Sequence, residues 1–187
     1  MHKIRLAAPI QSDSILDGEG IRTIIWTQGC AHNCPGCHNP LTHSFDEGYY
    51  EDVDTLKEEL RELKGQTGIT LSGGDPLYQP EPCLEICKFV KTIGMDVWCY
   101  TGFTFEELLK MGEKNKIIIE LLENIDVLVD GKFELALRSY DAIFRGSTNQ
   151  RIIDVKESLK EGKAILVEKY LKKEVNNSYR RSNNVYI

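Results

Sequence analysis

The sequence predicts a largely parallel α/β sheet folded as one domain, and three observations carry that expectation. Short β-branched runs alternate along the chain with amphipathic stretches. The 187 residues suffice for one sizeable core and are short for two. No internal repeat, low-complexity tract or Pro/Gly-rich linker marks a second domain. A complete eight-fold β/α barrel takes about 250 residues, so the expected form is an incomplete barrel or an open sheet.

Taken in order, Ile21 to Thr27 (IRTIIWT) reads as a first strand. Val53 to Leu63 reads as a helix, with apolar residues at 53, 56, 60 and 63. Ile69 to Leu71 is a second strand, followed by a helix over Cys83 to Ile93 that Gly94 can terminate. Asp96 to Tyr100 is a third strand, and the next helix opens on Thr104 and Glu107, a capping-box spacing. Ile117 to Leu122 continues helically, and Ile125 to Val129 is a fourth strand. Ala142 to Phe144 is a candidate fifth. Asp154 caps a short helix that Gly162 closes, and Ala164 to Val167 is the last expected strand. The core domain is expected over residues 1–171, with 172–187 a polar, net basic tail.

Composition excludes several classes of function. There are 23 Lys+Arg against 29 Asp+Glu, a formal charge of −6, which argues against a broad nucleic-acid or anionic-membrane surface. Hydrophobic residues at 41% with 28% charged describe an ordinary globular chain. No apolar run approaches transmembrane length, and Met1 to Ile10, broken by Ala7-Ala8-Pro9, is too short for a signal peptide. A cytoplasmic protein with reduced thiols is expected.

The unusual residues sit just after the strands. Gly29-Cys30, Ser72-Gly73-Gly74-Asp75, Tyr100-Thr101-Gly102, Asp130-Gly131-Lys132 and Arg145-Gly146-Ser147 each follow a strand or candidate strand. Any one such cluster is ordinary turn chemistry. In a parallel sheet, however, these ends share one rim, where active sites are built.

Three of the six cysteines crowd into Cys30-Ala31-His32-Asn33-Cys34-Pro35-Gly36-Cys37, a CxxxCxxC spacing. A closed zinc site needs a fourth ligand, here from His32, His38 or His43. A cubane iron–sulfur cluster held by three thiolates keeps one iron open for chemistry, and the spacing favours this over zinc. Cys83, Cys87 and Cys99 lie on predicted regular elements and are expected in the core. His2, His32 and His43 are expected at the surface.

With these residues in view, the chain resembles the radical S-adenosylmethionine (SAM) superfamily. Asp17-Gly18-Glu19-Gly20-Ile21-Arg22 leading into Gly29-Cys30, and Cys37-His38-Asn39-Pro40, resemble the activases of glycyl-radical enzymes. Cys34-Pro35-Gly36-Cys37, Ser72 to Leu77, Val127 to Phe133 and Arg145 to Gln150 narrow this to the activases of anaerobic (class III) ribonucleoside-triphosphate reductases. The likeness runs from about residue 15 to residue 155. Gly36 stands where most of the superfamily has an aromatic residue, a form these activases share; His38 or Trp26 must then shield the cluster. The ferredoxin-like insertion of several other activases has no counterpart here.

The resemblance implies an incomplete parallel β/α barrel of the radical SAM type. It implies a 4Fe-4S cluster on Cys30, Cys34 and Cys37, with S-adenosylmethionine chelating the fourth iron. Ser72, Gly73 and Gly74 would approach the cofactor through their backbone, and Asp75 would accept from its ammonium. Lys132 would face the methionine carboxylate, with Arg145 a weaker candidate. Thr101 and Asp130 would bind ribose hydroxyls or a small cation, and Gly36, Cys37 and His38 would lie near the adenine. The implied partners are the reductase, whose glycine would receive the radical, and a flavodoxin or ferredoxin as electron donor. Two other readings compete. One is a deazaguanine-synthase-like enzyme, whose third cysteine is usually followed by Asp-Thr where this chain has His38-Asn39. The other is a non-enzymatic zinc adaptor or ferredoxin-like carrier.

Overall fold

The computed structural model describes residues 2–171; the expected tail at 172–187 lies outside the described residues. Its centre is a run of four parallel strands. These are β3 (Arg22–Thr27), β5 (Gly68–Gly73), β6 (Asp96–Tyr100) and β7 (Val127–Asp130). They correspond to the four strands the sequence predicts.

Antiparallel strands absent from that expectation flank the run. On one side β1 (Lys3–Leu6) pairs with β3 and with β4 (Tyr49–Asp52), while β2 (Gln11–Ser14) also pairs with β3. On the other, β8 (Arg151–Asp154) runs antiparallel to β7. The order β4-β1-β3-β5-β6-β7-β8 does not close, so the sheet is an incomplete barrel, open between β4 and β8.

Two strand expectations are corrected. Ala142 to Phe144 forms turns, with Phe144 at φ 55°, and the only ladder contact of that region is the Arg138–Ser147 bridge. Ala164 to Val167 contributes a single bridge, Leu166 to Ile153. The place of the last strand is taken by β8, whose Arg-Ile-Ile-Asp is too short to show a period.

The helices follow the expected signals. Asp52 caps α1 (Val53–Glu62), which buries Val53, Leu56 and Leu60. α2 (Pro80–Thr92) starts earlier than expected, its prolines tolerated in the first turn, and buries Cys83, Cys87 and Val90. The Thr104–Glu107 capping box opens α3 (Phe105–Lys114), and Asn115 caps α4 (Lys116–Glu123). Asp154 caps α5 (Val155–Glu161), which Gly162 closes in the left-handed conformation. A last turn, α6, spans Glu168–Leu171.

Strand alternation sorts the sheet into two faces. Ile25, Leu71, Cys99, Leu128 and Ile153 stand in register on one face and join the helices' apolar residues in the main core. Burying each such aliphatic side chain contributes roughly 1.5–3 kcal/mol. Arg22, Thr70, Trp98, Val129 and Ile152 occupy the opposite, concave face. There Trp98, Val129, Ile152 and Tyr170 form a second, smaller core. The strands' C-terminal ends are thus fixed beneath one rim.

Candidate metal centre

Cys30, Cys34 and Cys37 leave β3 on a loop and line one cavity of about 290 Å³. Gly36 turns the loop at φ 73°, a conformation glycine takes without strain, and Asn33 shares that region at φ 54°. The three thiols are half-buried, whereas Cys83, Cys87 and Cys99 are buried in the core as expected. Burial pushes the Cys30 thiol up to about 11 and raises that of Cys34. Opposing this, the neighbouring backbone N–H groups of His32 and Phe133 favour the thiolates of Cys30 and Cys34. The Asn39 N–H donates to Cys37 Sγ at 3.4 Å. Each cysteine therefore has a backbone N–H nearby that favours its thiolate.

Among the described residues, no three His, Cys, Asp or Glu side chains converge as ligands of one metal ion. His32, one of the three candidate fourth ligands for zinc, is committed to Asp75. Three thiolates ranged along a cavity wall fit a multi-iron cluster, in which each cysteine serves its own iron.

The turn after β5 packs directly under this loop. A Cβ on Gly73 would lie 2.6 Å from the Thr27 carbonyl, and one on Gly74 would lie 2.5 Å from that of Gly29. The two glycines are therefore required by close approach of the Ser72–Asp75 turn to the β3 exit. Gly74 N–H donates to Thr27 O and Asp75 N–H to Gly29 O.

The rim clusters converge as predicted, with corrections in detail. Ser72, Gly73, Gly74, Thr101, Gly102, Gly131 and Gly146 line the cysteine cavity, together with Trp26 and His38, the two shield candidates. His38 also stacks obliquely on Phe133, with ring centroids 5.0 Å apart. Gly36 packs close to the segment after β7: a Cβ there would lie 2.9 Å from Leu135 and 3.5 Å from Phe133.

Asp75 lines the cavity but is only 1% exposed. One carboxylate oxygen accepts from Thr101 Oγ1 at 2.9 Å, Gly102 N–H at 2.9 Å and His32 Nε2 at 2.7 Å. The other accepts from Leu77 N–H at 2.9 Å. Asp75 is thus a hub joining turns, with most of its acceptor capacity spent on Thr101, Gly102, His32 and Leu77. Asp130, also 1% exposed, points to the helix side of β7, accepting from Phe105 N–H and forming an ion pair with Arg151. It does not line the cavity, so a ribose or cation contact does not fit its placement. Lys132 is exposed beside the cavity, close enough to Cys34 to favour its thiolate. Arg145 donates to the Gln150 carbonyl at 3.1 Å and borders a neighbouring cavity.

His32 is the clearest departure. Expected at the surface, its side chain is 6% exposed. His43 borders the cavity, while His2 is exposed as expected and pairs with Glu85. Sequence reasoning also missed Asp17, Tyr100, Phe133 and Gln150 as cavity residues. All four lie within motifs already singled out, and that proximity was their one available signal.

Residues 16–153 match the family described as a 4Fe-4S single cluster domain. The chain is 37% identical over 147 residues to the anaerobic ribonucleoside-triphosphate reductase-activating protein of Pasteurella multocida (strain Pm70), spanning 74% of this chain and 90% of the relative. Its counterpart in Escherichia coli (strain K12) is 36% identical over 151 residues, spanning 73% and 90%. The chain belongs to the family of anaerobic ribonucleoside-triphosphate reductase-activating proteins. The member from Enterobacteria phage T4 is 35% identical, spanning 73% of this chain and 86% of its own. Among solved structures, QueE from Escherichia coli overlays 55% of this chain and 53% of its own. At 14% identity and a TM-score of 0.44, that overlap is too loose to carry weight. Membership of the family accounts for the cysteine loop and the rim turns together.

Beside the cysteine cavity lies a second of about 510 Å³, which shares Asp17, His38, Tyr100 and Gly146 with it. Arg138, Tyr140 and Ile143 form part of its far wall. No helix among the described residues is long and apolar enough to cross a membrane.

Proposed function

We propose that this chain activates an anaerobic ribonucleoside-triphosphate reductase by placing a glycyl radical on it. The observation that carries this reading is the single cavity shared by the three loop cysteines and the Ser72–Gly74 and Thr101–Gly102 turns. A 4Fe-4S cluster with S-adenosylmethionine bound there would supply the one-electron reductive chemistry that removes a hydrogen atom from a glycine Cα.

The chain's own residues bind, orient and exclude water. Cys30, Cys34 and Cys37 would hold the cluster, with the N–H donors of His32, Phe133 and Asn39 stabilising the thiolates. The backbone of Ser72, Gly73 and Gly74 and the hydroxyl edge of Thr101 would seat the cofactor. Asp75 would keep those turns in place. Lys132 would contribute positive charge toward the methionine carboxylate, and Gly36, Cys37 and His38 would border the adenine. Trp26 and His38 would limit access of water.

A glycine within a protein must approach the cofactor from outside. The adjoining 510 Å³ cavity supports entry of a main-chain segment by that route. A flavodoxin or ferredoxin would supply the electron, and the cytoplasm is the compartment proposed.

The test is electron paramagnetic resonance on anaerobically reconstituted, reduced protein with S-adenosylmethionine, with and without the reductase. A cofactor-perturbed cluster signal, then a glycyl doublet only with the reductase, is expected. A perturbed signal without a doublet would leave a radical enzyme with a different substrate. Zinc in place of iron would overturn the reading.

A further inference from the structure

His32 is a buried imidazole in a loop whose Ala31, Asn33, Pro35 and Gly36 are exposed. Its Nε2 lies 2.7 Å from Asp75 Oδ2, the oxygen that also accepts from Thr101 Oγ1 and the Gly102 N–H. One imidazole thereby joins the exits of β3, β5 and β6. The ring is held by an edge contact with Phe103 at 4.5 Å and a tilted one with Tyr78 at 5.8 Å. Gly102 makes the space: a Cβ there would come within 2.4 Å of the imidazole.

We infer that His32 is a positioning residue, fastening the cysteine loop to the Asp75 hub so that the cluster and the Ser72–Gly74 cradle keep a fixed relation. The assignment rests on the function proposed above for the identity of the ligand, S-adenosylmethionine. Loss of the side chain removes none of the three sulfurs. The loop also keeps its backbone bonds from Gly29 N–H to Thr42 O and from Cys30 N–H to His43 O. What is lost is the tie between the loop and the two turns beside it. Cluster uptake then survives while cofactor binding weakens. A purely structural histidine would not separate the two.

His32→Leu keeps apolar packing against Phe103 and Tyr78 but removes the bond, whereas His32→Gln retains an N–H that can reach Asp75. Both are compared with the parent as full chains, reconstituted anaerobically without the reductase. Iron per chain is measured, and the Kd for S-adenosylmethionine is read from its effect on the reduced-cluster resonance. His32→Leu is expected to take up iron like the parent and to bind the cofactor about 10-fold or more weakly, the usual scale for groups that orient a metal site. His32→Gln is expected to recover most of the affinity.

Parental affinity in His32→Leu, no advantage of His32→Gln over it, or loss of iron from His32→Leu alone would overturn the assignment. Gly102→Ala is a second route that leaves His32 in place but crowds its ring. It is expected to weaken binding in the same direction, so parental affinity there overturns the assignment even if His32→Leu does not fold. A parent protein that takes up no iron, or whose cluster ignores the cofactor, would instead remove the proposed function and this inference with it.

Discussion

The fully buried guanidinium of Arg22, at the foot of β3, reaches across β5 to Asp96 at the foot of β6, with Nη2 2.6 Å from Oδ1. Gly68 lies between them in register, and a Cβ there would sit 2.8 Å from Arg22 Nη2. Arg22 also donates to Thr70 Oγ1 and to the carbonyls of Ile69 and Glu19, and it lies 5.5 Å from the Trp98 ring. One side chain therefore joins three parallel strands and the loop before them on the concave face.

Arg22→Met should destabilise the fold by about 2 kcal/mol, because it leaves Thr70 Oγ1 and the Ile69 carbonyl without their buried donor, while Asp96 is 45% exposed and keeps its hydration. Gly68→Ala should destabilise in the same direction, by roughly 1–3 kcal/mol, because the added methyl would lie 2.3 Å from the Asp96 carbonyl and would crowd the Arg22–Asp96 pair. Equilibrium denaturation of the two variants checks both.

Cys34→Ala should lose the cluster and all radical formation, while Cys83→Ala should keep both. The buried Cys83 thiol packs in the main core, so its truncation should cost on the order of 1 kcal/mol in stability and no iron. Iron and sulfide content after anaerobic reconstitution distinguishes the two cysteines.

Asp130→Asn tests whether Asp130 serves the fold or the cofactor. Its carboxylate is paired with Arg151 and bound by the Phe105 N–H, away from the cavity. A stability loss of about 2 kcal/mol is expected, the scale for a weakened buried charged hydrogen bond. The Kd for S-adenosylmethionine should stay within about twofold of the parent, less than 0.5 kcal/mol. A large loss of affinity with parental stability would return Asp130 to direct cofactor binding.

Acid should weaken the edges of the fold. Hydrogen bonds from Arg151 hold the Glu106 carboxyl below its ordinary range, and those from Lys169 and Tyr170 do the same for Glu19. A depressed carboxyl contributes stability that is fully present above its unfolded value, about 4.3, and is lost as pH falls through the lower folded value. The Tm should therefore decline below that range. Glu106→Gln should flatten the decline, and an unchanged slope would show that Arg151 does not act through Glu106.

Much of the parallel centre was legible because its signals are local. The β-branched runs, the capping pair Thr104–Glu107, the Asp154 cap and the Gly162 stop each lie within a few residues of what they control. The flanking strands were not legible. Lys3–Leu6, Gln11–Ser14, Tyr49–Asp52 and Arg151–Asp154 have four residues each, too few for a period, and exist because longer strands offer them a ladder. Arg145 to Ser147 was placed at the rim for the wrong reason. No strand precedes it, and Gln150 holds it there by accepting from the Gly146 and Ser147 N–H groups and donating to the Gly131 carbonyl.

By itself, the sequence determined the strand–helix alternation, the three cysteines of one loop and the polar turns that follow the strands, since spacing and residue type act locally. Only the tertiary structure decided which way the carboxylates and the imidazole face. Asp75, Asp130 and His32 all read in sequence as free polar groups, or as surface residues, near a site. Packing the strand ends into one rim buried them, and a buried polar group must find its partner inside the protein. Asp75 found Thr101, Gly102 and His32, and Asp130 found Arg151, partners that lie 21 to 43 positions away in the chain.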